Sequence, residues 1–206
     1  MNDSNKWNER YLNQDTPWDM GVHHPEMERL FSHYINKGQS VLEIGCGSGS
    51  NAFWLDKAGY KVTAIDISPQ AIKNAKQNNQ NQTINFLVAD FLKDEFNFPC
   101  FPVIFDCAVF HLLNEEQRQD FVHAVAKHCD KNGYWINISC SQDNANNIEQ
   151  ETGVKAPPYL TADKIIKAVE PLFEIVEMRK CDFVINRKES GISTFKAWGS
   201  VFKKRV

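Results

Sequence analysis

The chain has no pair of cysteines at C-x-x-C spacing and no histidine placed to complete a zinc site, although six cysteines stand at 46, 100, 107, 129, 140 and 181. That excludes the common zinc and dithiol motifs, so no metal is expected, and free thiols fit a reducing, cytoplasmic setting. No apolar run approaches the length needed to cross a bilayer, and the first twenty residues are polar with no signal-peptide core, so no membrane is expected. Basic residues are not in excess: 23 Lys and Arg face 26 Asp and Glu, and the one basic cluster is Lys203-Lys204-Arg205. Nucleic acid is therefore not the expected partner. There is no repeat, and the nearest thing to a biased tract, Gln77 to Gln82, reads as a polar loop after a helix.

What remains is an ordinary globular composition, 42% hydrophobic over 206 residues with a net charge of −3, long enough to bury roughly 70% of its unfolded surface as one domain. Between Ser40 and Phe105 short apolar β-rich runs alternate with helix-like stretches, which is the pattern of consecutive β-α-β units and a parallel sheet. Strands are expected at Ser40 to Ile44, Lys61 to Ile65, Ile84 to Ala89, Val103 to Phe110, Tyr134 to Ser139, Phe173 to Met178 and Phe195 to Phe202. Helices are expected at Asn51 to Ala58, at Pro69 to Asn78 behind a Ser68 cap, at Asn114 to Cys129 and at Thr161 to Val169. Lys131-Asn132-Gly133 reads as a turn. With no helix between them the last two strands pair as an antiparallel hairpin turning near Asn186 to Gly191. Lys6 to Asn36 reads as two short helical pieces around Thr16-Pro17 that pack over the sheet.

Residues 41 to 50, Val-Leu-Glu-Ile-Gly-Cys-Gly-Ser-Gly-Ser, carry the chemistry. A hydrophobic strand runs into glycines at 45, 47 and 49 and then into a helix, so bare backbone and free helix N–H groups are offered to a ligand. The plain alternative is a tight strand-helix turn. A dinucleotide loop needs G-x-G-x-x-G, and the third glycine here comes one residue early. Asp66 and Asp90 stand at the ends of the next two strands; each could also be a solvated strand-end acid.

The Glu43-x-Gly45-x-Gly47-x-Gly49 pattern, followed by Asp66 and Asp90, resembles motif I and the succeeding strand ends of class I S-adenosylmethionine-dependent methyltransferases. The flanks, Trp7-Asn-Glu-Arg-Tyr11, Thr16-Pro17-Trp18-Asp19, His24-Pro25-Glu26, Pro157-Pro158-Tyr159 and Phe195-Lys-Ala-Trp198, resemble those of the thiopurine, thiol and halide methyltransferases and their tellurite-resistance relatives. The resemblance implies a Rossmann-like α/β fold with a seven-stranded mixed sheet, an antiparallel last strand and helices on both faces. It divides the single domain, 1–206, into an N-terminal helical lid, 1–38, and an α/β core, 39–206. It also implies S-adenosyl-L-methionine as cofactor and S-adenosyl-L-homocysteine as product. The cofactor would lie against Glu43, Gly45, Cys46, Gly47, Gly49, Ile67 and Phe91, with Asp66 at the ribose, Asp90 near the adenine, and Trp7, Tyr11 and Trp18 from the lid.

The acceptor implied is a small soluble molecule, with a soft nucleophile favoured: a thiol, halide, selenium or tellurium species. A small oxygen or nitrogen acceptor, a non-catalytic cofactor-binding protein and a nicotinamide oxidoreductase are the alternatives, and a monomer or weak homodimer is expected. Methyl transfer from an activated donor asks mainly for alignment and exclusion of water. His111, just past the fourth strand, is the candidate catalytic residue; contact with the cofactor or loop, and a purely structural role, compete with acceptor chemistry. His23 and His24 could hold an anion or be solvated, and Arg10, Arg29 and Arg187 could contact anions. Asp106 reads as structural. The lid aromatics could be packing staples or could meet the sulfonium through cation–π contact.

Overall fold

The computed structural model describes residues 3–78, 83–144, 160–187 and 191–206. Seven strands run β1 Ser40–Ile44, β2 Lys61–Asp66, β3 Asn85–Val88, β4 Phe101–Cys107, β5 Cys129–Cys140, β6 Phe173–Arg187 and β7 Gly191–Lys204. They form one sheet in the order β3-β2-β1-β4-β5-β7-β6. β1 to β5 are parallel, while β7 lies antiparallel between β5 and β6. The mixed sheet with an antiparallel last strand is the one expected. The helices are α1 Asp3–Leu12, α2 Pro25–Tyr34, α3 Ser50–Lys57, α4 Pro69–Asn78, α5 Glu115–His128 and α6 Ala162–Val169.

Each face of the sheet buries its own apolar layer. On one, Met27, Leu30 and Phe31 of α2, Leu55 of α3 and Ile72 and Ala75 of α4 cover Val41, Val103, Phe105 and Ile138. On the other, Phe121, Val122 and Val125 of α5 and Ile165 and Val169 of α6 surround Trp135. The spacing of Phe121, Val122 and Val125 makes one helical stripe, and each such fully buried side chain contributes about 1.5–3 kcal/mol. Asn114 caps α5 in a reciprocal pair with Gln117, and Ser68 Oγ accepts from Ala71 N at 3.1 Å to start α4, both as the sequence indicates.

Three expectations need correction. β4 ends at Cys107, short of Phe110. Ala108 turns to φ 65° and Phe110–Leu112 form a 3-10 turn, because the buried Asp106 carboxylate accepts from Phe110 N at 3.1 Å and draws the chain back. β5 starts at Cys129, with the Lys131–Gly133 turn falling inside the irregular pairing between Phe101 and Val103. β6 and β7 are far longer than their apolar cores, because from Asp182↔Lys196 to Arg187↔Gly191 they pair with each other beyond the end of β5. The turn expected near Asn186 to Gly191 includes 188–190, which lie outside the described residues, as does Pro157-Pro158-Tyr159.

Candidate active site

The carboxyl ends of β1, β2 and β4 meet around the glycine loop, the place where open α/β sheets take their ligands. Gly45 has φ 70°, and a Cβ built there would lie 2.2 Å from Val109 Cγ2, so the loop presses against the turn after β4. Gly47 has φ 56°, and a Cβ there would lie 2.6 Å from the Tyr11 hydroxyl. The first glycine therefore seats the turn that carries His111, and the second seats the N-terminal segment. Cys46 between them is buried, and burial lifts its thiol well above the usual range, which makes it a packing residue and not a nucleophile.

Asp66 closes the loop from β2. Its carboxylate accepts from Gly47 N at 2.9 Å and from Ser68 N at 2.8 Å, and burial raises its pKa against those two bonds. Glu43, on β1, is 1% exposed and has one oxygen, Oε2, with no hydrogen-bond partner. Burial first, then the nearby Asp66 charge, raises its pKa to about 8, opposed by a hydrogen bond from Asn51. Asp90 receives Leu92 N at 3.1 Å and pairs with Lys93 at 3.0 Å. The Phe91 ring is turned into the core against Phe121, so what it can offer a ligand is backbone. Ile67 accepts from Ser4 Oγ at 3.1 Å through its carbonyl.

The three aromatics of the N-terminal segment cluster. Trp18 meets Trp7 edge-on at 5.5 Å and Tyr11 at 6.2 Å, and donates through Nε1 to the Tyr11 hydroxyl at 3.3 Å. Arg10 lies over the Trp18 ring at 4.3 Å and pairs with Asp15. Helix α1 is fastened beside the loop by Asn8, whose Oδ1 accepts from Gln70 N at 2.8 Å and from Ser68 Oγ at 3.1 Å. Sequence reasoning missed Asn8, Ser4 and Asn51, because single polar residues on short helices carry no signal of their partners, which for Ser4 and Asn8 lie some sixty positions away and for Asn51 include His24 N in another element.

His111 is 3% exposed in the turn after β4, and its Nδ1 accepts from Cys140 N at 3.2 Å. Burial lowers its pKa to about 4, so near neutrality it is an uncharged ring whose proton sits on Nε2. Asp106 accepts from Trp135 Nε1, Asn137 Nδ2 and Phe110 N, and burial lifts it to about 6; it builds the turn. The other anion candidates are engaged elsewhere. His23 pairs with Glu28 and stacks on Trp54. His24 caps α2, accepting from Glu26 N, and Arg29 bridges Glu26 and Glu177. The Arg187 side chain lies outside the described residues.

These residues fit a nucleoside-bearing, cationic cofactor. Gly45, Gly47 and Gly49 hold the loop at positive φ, carboxyls stand at or near the ends of three successive strands, and one of them holds a buried acceptor oxygen without a donor. The comparisons with known proteins agree. The thiopurine S-methyltransferase family model matches residues 2–205. An uncharacterized methyltransferase of Schizosaccharomyces pombe is 28% identical over 120 residues, 57% of this chain and 82% of its own length. A SAM-dependent methyltransferase of Anabaena variabilis superimposes with a TM-score of 0.82 at 21% identity, covering 100% of this chain and 96% of that one. The N-methyltransferase NodS of Bradyrhizobium japonicum, solved with S-adenosyl-L-homocysteine, superimposes with a TM-score of 0.74 at 21% identity, covering 98% and 99%. With a family match over nearly its whole length, the chain belongs to the thiopurine S-methyltransferase family and is an S-adenosylmethionine-dependent methyltransferase.

Proposed function

We propose that the methyl acceptor is a small soft nucleophile that reaches the site already ionised: a thiolate, a halide, or a selenium or tellurium anion. The observation that carries this reading is the state of His111. It is the residue nearest to a general base at the end of β4, yet it is buried, bonded through Nδ1 to Cys140 N and neutral down to about pH 4. A neutral imidazole of such low basicity does not take a proton from a phenol or an ammonium. A thiol with an ordinary pKa near ~8.5 ionises without help, and a halide needs no deprotonation.

S-adenosylmethionine supplies an electrophilic methyl on a sulfonium. This chain's residues then have three tasks. Glu43, Gly45, Cys46, Gly47, Gly49, Asp66, Ile67, Asp90 and the Phe91 backbone hold the cofactor; Trp7, Tyr11 and Trp18 cover the glycine loop and exclude water; His111 offers an Nε2–H to orient a ligand instead of a base to deprotonate it. Alignment of this kind is worth up to ~7–11 kcal/mol in favourable cases. The family's thiopurine name is consistent with a sulfur acceptor.

The test is release of S-adenosyl-L-homocysteine across small thiols, iodide, selenite, tellurite, phenols and amines. Turnover is expected with the soft acceptors. For thiols it should rise with pH along the acceptor's own ionisation, and His111→Gln should lower the rate while leaving that profile in place. Turnover confined to amines or phenols, or a profile that follows His111, refutes the reading.

A further inference from the structure

At the carboxyl end of β5 two successive residues are held from opposite sides. Cys140 N donates to His111 Nδ1 at 3.2 Å on the β4 side, and Ser141 Oγ accepts from Lys180 Nζ, which reaches back from β6. Successive Cα atoms lie ~3.8 Å apart, so a neutral imidazole and an ammonium bracket one strand end, in the crevice where open α/β sheets take ligands. An aromatic face keeps Lys180 there. Its Nζ lies 3.6 Å from the centroid of the Trp198 ring, the residue directly across the β6–β7 ladder. Trp198 is fixed in turn through Nε1, which donates to Leu160 O at 3.0 Å, and Leu160 N donates to Cys140 O at 3.1 Å.

Stability does not account for this arrangement. Among the described residues the acid paired with Lys180 is Asp143, in the 3-10 turn Gln142–Asn144 just past the strand. The Asp143 side chain is 60% exposed and that of Lys180 35%. Ion pairs so open to water add little to stability, while fixing a long side chain costs rotamer freedom. What the arrangement does hold is an oriented, partly desolvated ammonium whose present partner is a carboxylate that solvent can readily replace. Beside it Ser139, the β5 residue opposite Trp198, is fully buried with no partner for its Oγ, an unused hydroxyl on the face of the sheet that Trp198 and Lys180 share. These are the features of an anion site, and Asp143 fills it from within the chain.

We propose that the acceptor is a small thiol acid, and that its carboxylate displaces Asp143 from the Lys180 ammonium while its sulfur faces the cofactor. This rests on the soft-nucleophile reading above and narrows it. β5 stands two strands from β1 in the sheet order, about 10 Å away at ~4.8 Å per strand. A short carbon chain between sulfur and carboxylate, with a hydrogen bond to Nζ at one end and the transferring methyl at the other, covers that distance. An ammonium pairs with a carboxylate and gives an uncharged ester no such partner, so Lys180 acts on KM and on the choice among thiols and not on the chemistry of the sulfur.

The experiment compares 3-mercaptopropionate with its methyl ester in S-adenosyl-L-homocysteine release, for the full chain and for Lys180→Met, which keeps an apolar stem and removes the charge. Lys180→Met should lower the ratio of kcat/KM, acid over ester, by about tenfold or more, the least expected when a hydrogen bond to a charged group is lost, and the change should lie in KM. Comparing that ratio between the two proteins cancels the different ionisation of the two thiols. Asp143→Asn, which removes the competing carboxylate, should lower KM for the acid and leave that for the ester in place. An unmoved ratio in Lys180→Met, or an equal loss on both thiols, overturns the inference and leaves the soft-nucleophile reading standing. A binding arm separates the two further. The product 3-(methylthio)propionate should bind the complex with S-adenosylhomocysteine in saturation-transfer NMR, and Lys180→Met should lose that binding. If neither thiol turns over, the soft-nucleophile reading fails for thiols and the NMR arm decides Lys180: binding lost in Lys180→Met upholds the anion site, while no binding, or binding unaltered in the variant, overturns it. Should Lys180→Met fail to fold, a KM for the acid that does not fall in Asp143→Asn overturns the inference by itself.

Discussion

Replacing Gly47 by alanine tests whether the loop and the N-terminal segment form one closed unit. Two costs are separable. At φ 56° an L-residue loses about 1–2 kcal/mol on backbone grounds alone. The new Cβ would also lie 2.6 Å from the Tyr11 hydroxyl, which must retreat beyond 3.4 Å to reach ordinary contact. That retreat breaks the 3.3 Å bond from Trp18 Nε1, worth about 1 kcal/mol. Gly38→Ala is the control, with φ 84° and nothing within 4 Å of its Cβ. For a chain of this size the control should lose roughly 2–8 °C in Tm, since 1 kcal/mol moves Tm by about 2–4 °C. Gly47→Ala should lose several degrees more and show a Trp fluorescence change that the control lacks. Differential scanning fluorimetry with S-adenosylhomocysteine completes the assay. Ligand at a hundred times Kd stabilises a binding-competent chain by about 2.7 kcal/mol, and Gly47→Ala should forfeit most of that while Gly38→Ala keeps it. Equal behaviour of the two variants, with and without ligand, refutes the closed unit.

The remaining expectations concern pH and local stability. Glu43, raised to about 8 against about 4.3 unfolded, keeps a proton in the folded chain that the unfolded chain has lost, so ligand-free stability should fall as pH rises through roughly 5–8; Glu43→Gln should flatten that limb, and a Tm–pH curve parallel to the parent's would sink the argument. His24 and His111, lowered to about 4 against about 6.5 unfolded, contribute stability present above about 6.5 and lost as pH falls toward 4, so His111→Gln should be less acid-sensitive over that range. In hydrogen exchange, α1 amides should exchange faster than α2 amides without ligand and gain protection with S-adenosylhomocysteine, while α2 stays unchanged; equal exchange in both helices contradicts the division.

The parts legible in the sequence were those with local causes. Periodicity placed β1 and α4 to the residue, Asn114 marked the start of α5, and alternating glycines marked the loop. The hidden parts depend on partners far along the chain. Nothing in Phe105 to Phe110 says that the apolar run breaks at Cys107, because the cause is a carboxylate buried under Trp135 and Asn137 of another strand. The outer half of the β6–β7 arm escaped notice because its ladder is two strands wide there and carries charge, as in Asp182↔Lys196. At the site, the residue types were readable and their orientations were not. Phe91 sits at the expected strand end with its ring turned into the core, and His111 sits at the expected turn with its basicity removed by burial.

The same reasoning redraws the N-terminal segment, whose two helices are held by different forces. α2 buries Met27, Leu30 and Phe31 completely and is tied to β6 through Arg29 and Glu177, so lifting it would expose core surface at several kcal/mol. α1 buries one aromatic, Tyr11, and is otherwise fastened by polar bonds: Ser4 to Ile67 O, and Asn8 to Ser68 and Gln70. Water can replace those bonds at a net cost near 1 kcal/mol each. Pro17 O, which accepts from Asn186 N at 2.7 Å, fastens the chain between the helices to the β6–β7 arm. If the segment serves as a cover, this construction predicts opening at α1 while α2 stays with the sheet. The bonds α1 would give up belong to Ile67, Ser68 and Gln70, beside the Asp66 carboxylate proposed for the ribose, so such an opening would also expose the proposed cofactor seat.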